Sequence, residues 1–225
     1  FRSYTNNGQL FVYNEVLDRF ERLINLSKIL DNIFISINSV HIGSDKTLWL
    51  GTSFGLYHYR NNQLELIEGE SSTINLMEAY SNREMIVAKE NLLFLFDTQT
   101  RQSTPFETEK LLPGSTISAL FMDHKRNCLW IGTLSEGLYV YNFSDKQMKK
   151  LPIDPFPDQP VLSLEMNDDS TLLAGIDGQG VWQVNLNELR VLNVYKEDVN
   201  DPGSLRGNGV YDIMRDEHNQ IGRAS

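Results

Sequence analysis

The sequence predicts an all-β fold, a β-propeller built of four-stranded blades. Three observations point there. The run Leu48-Trp49-Leu50-Gly51-Thr52, followed by Gly55-Leu56-Tyr57, returns as Leu129-Trp130-Ile131-Gly132-Thr133 with Gly137-Leu138-Tyr139. A weaker third copy runs from Leu172 to Trp182. The residues that open the second half of each unit, Leu10, Leu56, Leu92, Leu138 and Val181, stand 46, 36, 46 and 43 residues apart. A period in the forties with several short strands per unit is the mark of a propeller blade.

Each unit divides into four strand-like pieces. The first carries apolar residues three apart: Ile37 and Val40, Ile74 and Met77, Ile117 and Leu120, Val161 and Leu164, Val210 and Ile213. A polar turn follows, such as Asp123 to Asn127 or Asn167 to Ser170. The second piece is the Leu-Trp-Leu/Ile-Gly-Thr run, a nearly continuous apolar stretch suited to a strand buried on both faces. A turn with glycine leads to a third strand rich in aromatic and β-branched residues, for example Leu56 to Tyr59 or Leu138 to Tyr141. The fourth is more polar (Asn62 to Ile67, Lys146 to Leu151, Leu189 to Tyr195), as expected of an edge that must not recruit other chains.

Glycine recurs at two places in the unit. Gly51, Gly132 and Gly175 sit late in the second strand, where close approach of neighbouring backbones is the expected reason. Gly55, Gly137 and Gly180 open the third strand, where a positive φ is expected. A phosphate-cradling loop would need a following helix, and here a strand follows each time. The third unit has Ala88 and Asn91 instead, with Asn91 expected to take the left-handed turn conformation.

The expected domain is a single propeller or partial propeller over residues 1–225. Its blades fall at about 1–29 (partial), 30–69, 70–110, 111–155, 156–200 and 201–225 (partial). Phe1 to Thr5 and Gln220 to Ser225 both fall at second-strand positions, so each end cuts through a repeat. About five blades' worth lie between. Either the last strands pair with the first to close a small ring, or the chain is an arc of a larger, seven-blade-type ring. The arc is preferred because the cut is arbitrary relative to the motif. The absence of an initiator methionine or signal segment likewise suggests a processed or excised piece. Gly222 and Arg223 fit a core strand poorly, and a frayed end is expected there.

Composition narrows the function classes. The net charge is −10 and the pI about 4.9, which argues against nucleic acid and anionic membrane surfaces. No apolar run reaches the roughly 18 residues of a membrane span. The single Cys128 cannot form an internal disulfide and sits at the entry to a buried strand, where it reads as a small hydrophobe. His41, His58, His124 and His218 show no metal-ligand spacing, and Asp216 to Asn219 aligns with the first turn of the other blades. No nucleophile elbow, P-loop or paired-carboxylate motif stands out, so no catalytic residue, metal or cofactor is expected. Trp49, Trp130 and Trp182 recur at strand positions and read as core.

The run Leu129 to Asn142 resembles the two-component regulator propeller repeat. So does Asn200 to Ile213, with its Asp-Pro-x-Ser-Leu linker between blades. The resemblance covers almost the whole chain and is weaker in the third unit and at the C-terminus. It implies the periplasmic sensor region of a hybrid two-component histidine kinase from a glycan-degrading bacterium. It further implies an oligosaccharide ligand, a homodimer through the full-length sensor, and a conformational signal passed to a kinase elsewhere in the parent chain. A propeller polysaccharide lyase or glycosidase, or an interaction scaffold with no small-molecule site, stays open as an alternative.

In propellers the turns between second and third strands, and the linkers between blades, share one end. The expected binding surface therefore carries Ser53-Phe54, Leu134 to Glu136, Asp177 to Gln179, and the linkers around Gly114, Asp158 and Arg206. Glu136, Asp177, Gln179 and Arg206 offer planar polar groups for sugar hydroxyls, and Phe54 reads as an exposed aromatic for stacking. The competing reading of each is an ordinary solvated loop residue.

Overall fold

A computed structural model describes residues 2–5, 7–69, 72–106, 115–215 and 221–224. The chain divides into two compact units, Phe1–Phe106 and Glu107–Ser225. The first contains β1 (Arg2–Tyr4), β2 (Gln9–Asn14), β3 (Arg19–Asn25), a one-turn helix α1 (Leu26–Ile29), β4 (Ile37–Ile42), β5 (Leu48–Thr52), β6 (Gly55–Arg60) and β7 (Gln63–Glu68). It ends with β8 (Leu76–Ala79), β9 (Glu84–Lys89), β10 (Leu92–Asp97) and β11 (Gln102–Pro105). The second contains β12 (Ile117–Asp123), β13 (Cys128–Thr133), β14 (Leu138–Asn142), β15 (Gln147–Lys150) and β16 (Val161–Met166). It continues with β17 (Thr171–Ile176), β18 (Gly180–Asn185), β19 (Arg190–Tyr195), β20 (Asp212–Arg215) and β21 (Ile221–Ala224). Every strand pairs antiparallel with its sequence neighbour. The described residues form a three-stranded sheet (β1–β3), four four-stranded sheets (β4–β7, β8–β11, β12–β15, β16–β19) and a two-stranded one (β20–β21). This is the strand order of propeller blades, all-β as the repeat predicts.

Each second strand is buried throughout or nearly so, as an apolar run bounded by turns predicts. The three-residue apolar spacing of the first strands has a structural cause. The register slips between Ile37 and Ser39, between Ile117 and Ala119, and between Val161 and Ser163. One extra residue is thereby inserted, which turns a period of two locally into three. At two of these bulges the extra residue reaches the next blade. Asn38 donates to the Ile74 carbonyl at 2.9 Å and Ser118 to the Val161 carbonyl at 2.6 Å.

The strand-two glycines face those bulges. A Cβ on Gly132 would lie 2.6 Å from Val161 Cγ1, and one on Gly51 2.7 Å from Ile74 Cγ2. Glycine therefore lets the first strand of the following blade close onto the second strand of the preceding one. The hydroxyl at Ser39, opposite Gly51, accepts the Met77 N–H at 3.0 Å. Ser163 holds the same position opposite Gly175, yet its Oγ is buried with no hydrogen-bond partner among the described residues. An unsatisfied buried hydroxyl costs about 1–3 kcal/mol. Ser163→Ala should therefore raise the melting temperature, matching Ala119 at that position in the preceding blade. A clear fall would show that the hydroxyl is satisfied.

Three sequence expectations need correction or refinement. In the third blade the positive φ falls on Glu90 (54°), not on Asn91. The β9–β10 connection is a two-residue turn and its first residue takes the left-handed conformation. Of the last four residues, expected to form a frayed end, Gly222 to Ala224 pair in register with β20, and Ser225 lies outside the described residues. Trp49 and Trp130 are core, but Trp182 is only half-buried. Leu173 takes the Trp130 position in β17, and a hollow of about 430 Å³ opens beside it, lined by Val181, Leu205, Ile213 and Gly222. The smaller side chain fills less of the space.

Cys128 is 4% exposed, and burial with the nearby Asp123 charge pushes its thiol up to about 11. The folded protein should resist thiol alkylation at neutral pH and react fully only after denaturation, a comparison that mass spectrometry reads directly. Rapid native labelling would contradict this burial. The Asp216–Asn219 run, His218 and Gly114 lie outside the described residues. Among the described residues no helix is long and apolar enough to cross a membrane.

Candidate functional site

The predicted loops assemble most fully in the second unit. The Thr133 hydroxyl donates to the Gly137 carbonyl at 3.0 Å and accepts the Glu136 N–H at 2.9 Å, which shapes the β13–β14 turn. Gly137 closes it at φ 78°. Opposite runs the proline-rich linker from Leu151 to Pro160. Turn and linker enclose a cavity of about 200 Å³ lined by Ser135, Glu136, Lys150, Phe156 and Asp158. Glu136 pairs with Lys150 at 3.0 Å, and that carboxylate raises the lysine's pKa. Lys150 also lies 5.9 Å from the centre of the Tyr139 ring. Ser135 meets Ser115 at 3.2 Å.

Phe156 carries the site toward the next blade. Its ring stands edge-on to Trp182 with centroids 5.7 Å apart, and both rings are half-buried. The Trp182 indole donates to the Gln179 carbonyl at 3.2 Å, and the Gln179 side chain accepts from Lys196 at 2.7 Å. The β17–β18 turn is tied at both sides: Asp177 N–H donates to the Pro160 carbonyl and Gly180 N–H to the Asn208 carbonyl, each at 3.0 Å. The Asp-Pro-Gly-Ser-Leu linker is held by its own chemistry. Asp201 accepts the Gly203 N–H, the Ser204 hydroxyl accepts the Asp198 N–H at 2.9 Å, and Leu205 packs against Leu173 and Val210.

Of the residues expected to bind, Glu136, Asp177, Gln179 and Arg206 therefore lie on these turns and linkers. Asp177 and Arg206 are exposed, Glu136 is exposed and ion-paired, and Gln179 is half-buried. Phe54 belongs to the first unit and differs from expectation. It is half-buried, packed against the cluster around Leu10, Leu26 and Tyr57. The exposed aromatic there is Phe34, 78% exposed, whose carbonyl accepts from the Ser53 hydroxyl at 3.4 Å. The sequence does not single out Phe156, because the linker has no periodicity. An aromatic flanked by Pro152, Pro155 and Pro157 in a blade linker is the signal that could have found it. Among the described residues no group of three or more His, Cys, Asp or Glu side chains could hold a metal.

The fold has solved counterparts. The extracellular domain of a putative hybrid two-component system, BT4673 from B. thetaiotaomicron, superposes with a TM-score of 0.77 at 24% identity. The match covers 99% of this chain and 29% of that one. A second structure of that domain, described as a putative one-component system, gives 0.78 at 23% identity over 100% of this chain and 30% of its own. The extracellular domain of the putative hybrid two-component system BT3049 from the same organism gives 0.70 at 16%, over 99% and 30%. The shared property is the fold. The chain spans less than a third of the length of these structures. No family model and no curated protein matches it.

Proposed function

We propose that the chain is an arc of a seven-blade-type propeller in the extracytoplasmic, periplasmic sensor region of a hybrid two-component protein. It recognises an oligosaccharide and, through a homodimeric full-length sensor, regulates a histidine kinase elsewhere in the parent chain. The observation that carries this reading is the Phe156–Trp182 pair on the loop end of the second unit, flanked by Glu136, Lys150, Gln179 and Lys196. Aromatic faces stack on the apolar side of a sugar ring while planar polar groups take its hydroxyls, the usual division of labour in a ligand pocket. The cavity of about 200 Å³ suits a single sugar unit, so a longer ligand would run along the adjoining turns. The fold shared with extracellular domains of two-component systems supports the signalling assignment. The arc itself is non-catalytic on this reading.

Thermal-shift measurements against oligosaccharides from pectin, hemicellulose and host mucin test it. One class should raise the melting temperature in proportion to RT ln(1 + [L]/Kd), with no new product after prolonged incubation. Cleavage of the stabilising glycan would make the chain an enzyme. Stabilisation by none of them would favour the scaffold reading.

A further inference from the structure

At the other end of the first unit, the turns joining strands one to two and three to four of two successive blades enclose a separate hollow. Its volume is about 240 Å³, and its walls include Trp49, His58 and Arg60 from one blade and Asn82 and Arg101 from the next. None of these residues takes part in the sugar-binding reading above.

The chain contains the corner of this hollow twice, once filled and once open. In the second unit the Trp130 indole donates to Asp123 Oδ2 at 3.4 Å. The same carboxyl group accepts the Arg126 guanidinium at 2.8 Å and the Arg126 backbone N–H at 3.0 Å. Burial alone would raise its pKa, but these donors hold it below the usual carboxylate range. Strand register places Trp49 (opposite His41) where Trp130 stands (opposite Phe121). Gly43, whose N–H donates to the Thr47 carbonyl at 2.9 Å, then falls at the position of Asp123.

With no side chain at Gly43, the Trp49 indole N–H has no acceptor among the described residues. Arg60, exposed on the rim, likewise makes neither a hydrogen bond nor an ion pair among them. The other groups are occupied. His58 stacks on Trp49 with centroids 4.3 Å apart, and its Nε2 meets Thr47 Oγ1 at 2.8 Å. The hollow's own carboxylate, Asp45, is turned onto the Thr47 hydroxyl at 2.7 Å and the Thr47 N–H at 3.1 Å. Arg101 is engaged by Glu65 at 2.6 Å. Among the described residues the Trp49 indole N–H thus lacks an acceptor, and the Arg60 guanidinium, whose charge helps lower the pKa of Asp45, makes no hydrogen bond or close ion pair at the place where the sister blade holds a carboxylate.

We propose that this hollow binds an oxyanion, a carboxylate or a sulfate, which takes at Trp49 and Arg60 the place that Asp123 takes at Trp130 and Arg126. The bound group accepts the Trp49 indole N–H and is paired by Arg60.

The three indole N–H resonances, assigned by single Trp→Phe substitutions, provide the readout. The protein is titrated with sodium sulfate, sodium glucuronate or glucose while sodium chloride keeps the ionic strength constant. The Trp49 signal should move saturably with an oxyanion while those of Trp130 and Trp182 stay still. Arg60→Gln should weaken the apparent affinity about tenfold or more, the loss of one charge-assisted hydrogen bond. Saturation by sulfate alone makes the source a free inorganic anion; saturation by glucuronate, with or without sulfate, extends it to an acidic sugar. Gly43→Asp should place a carboxylate in the hollow and abolish the titration. Its Cβ would lie 2.8 Å from Asp45 Oδ1, so the Asp45 side chain must turn off Thr47 to admit it. Should that variant fail to fold, the exposed Arg60→Gln still decides the matter. Equal movement with glucose, no saturable movement, or Arg60→Gln binding like the parent would overturn the proposal.

Discussion

Truncating Trp130 to alanine is expected to cost about 3–5 kcal/mol of folding stability, the usual range for a fully buried indole. Trp130 is 5% exposed and lies in an apolar cluster with Ala119, Val161, Leu164 and Ala174, so the loss opens a gap between two blades. It also leaves Asp123 without one of its donors. Trp49 sits at the same position against Ile74, Met77 and Phe96, and its truncation should cost a similar amount. Chemical denaturation followed by fluorescence measures both. An unchanged midpoint for Trp130→Ala would mean that the second strand is not core.

Gly132→Ala should destabilise, although glycine-to-alanine exchange in a permissive strand stiffens the unfolded chain and gains about 0.4–1 kcal/mol. The reason is steric. The added Cβ would lie 2.6 Å from Val161 Cγ1, 2.9 Å from Val161 Cβ and 3.0 Å from Ala119 Cβ. Two of those neighbours are Cβ atoms fixed by the backbone, so the blades must move apart, and overpacking of this kind costs about 1–3 kcal/mol. Gly207→Ala is the control, because a Cβ there meets nothing within 4 Å and its φ is not positive. Its stability should stay near that of the parent. If Gly132→Ala also stays there, the blades are not in the close contact described.

The fold was legible because it repeats. A strand that returns with its turn, its glycine and its tryptophan can be aligned with itself, and the self-alignment places every first, third and fourth strand. Even the three-residue spacing of Ile37 and Val40 was visible, although its cause, a bulge at Asn38, needed the register. The site was less legible because binding residues lie where the repeat ends. Phe54 looked exposed because it follows a serine in a turn, but α1 and β2 supply Leu26 and Leu10 to cover it. Phe156 sits in a linker that resembles no other part of the chain, and its partner Trp182 looked like core because it lies in a strand. Single positions in a turn are also underdetermined, as Glu90 and Asn91 show: both tolerate the αL conformation well enough for the turn to choose.

Titration of a stabilising oligosaccharide against four forms of the protein tests the central claim, that the loop end of the second unit recognises the ligand. The forms are the parent, Asp177→Ala, Arg206→Ala and Lys125→Ala, compared by calorimetry at one ionic strength. Asp177 and Arg206 are exposed on the turns and linker of that end, whereas Lys125 is exposed in the β12–β13 turn at the other end of its blade. Each of the first two substitutions should weaken binding several-fold, about 1 kcal/mol for one polar contact, while Lys125→Ala should bind like the parent. Unchanged binding by Asp177→Ala and Arg206→Ala together with lost binding by Lys125→Ala would place recognition at the wrong end of the blades and contradict the account.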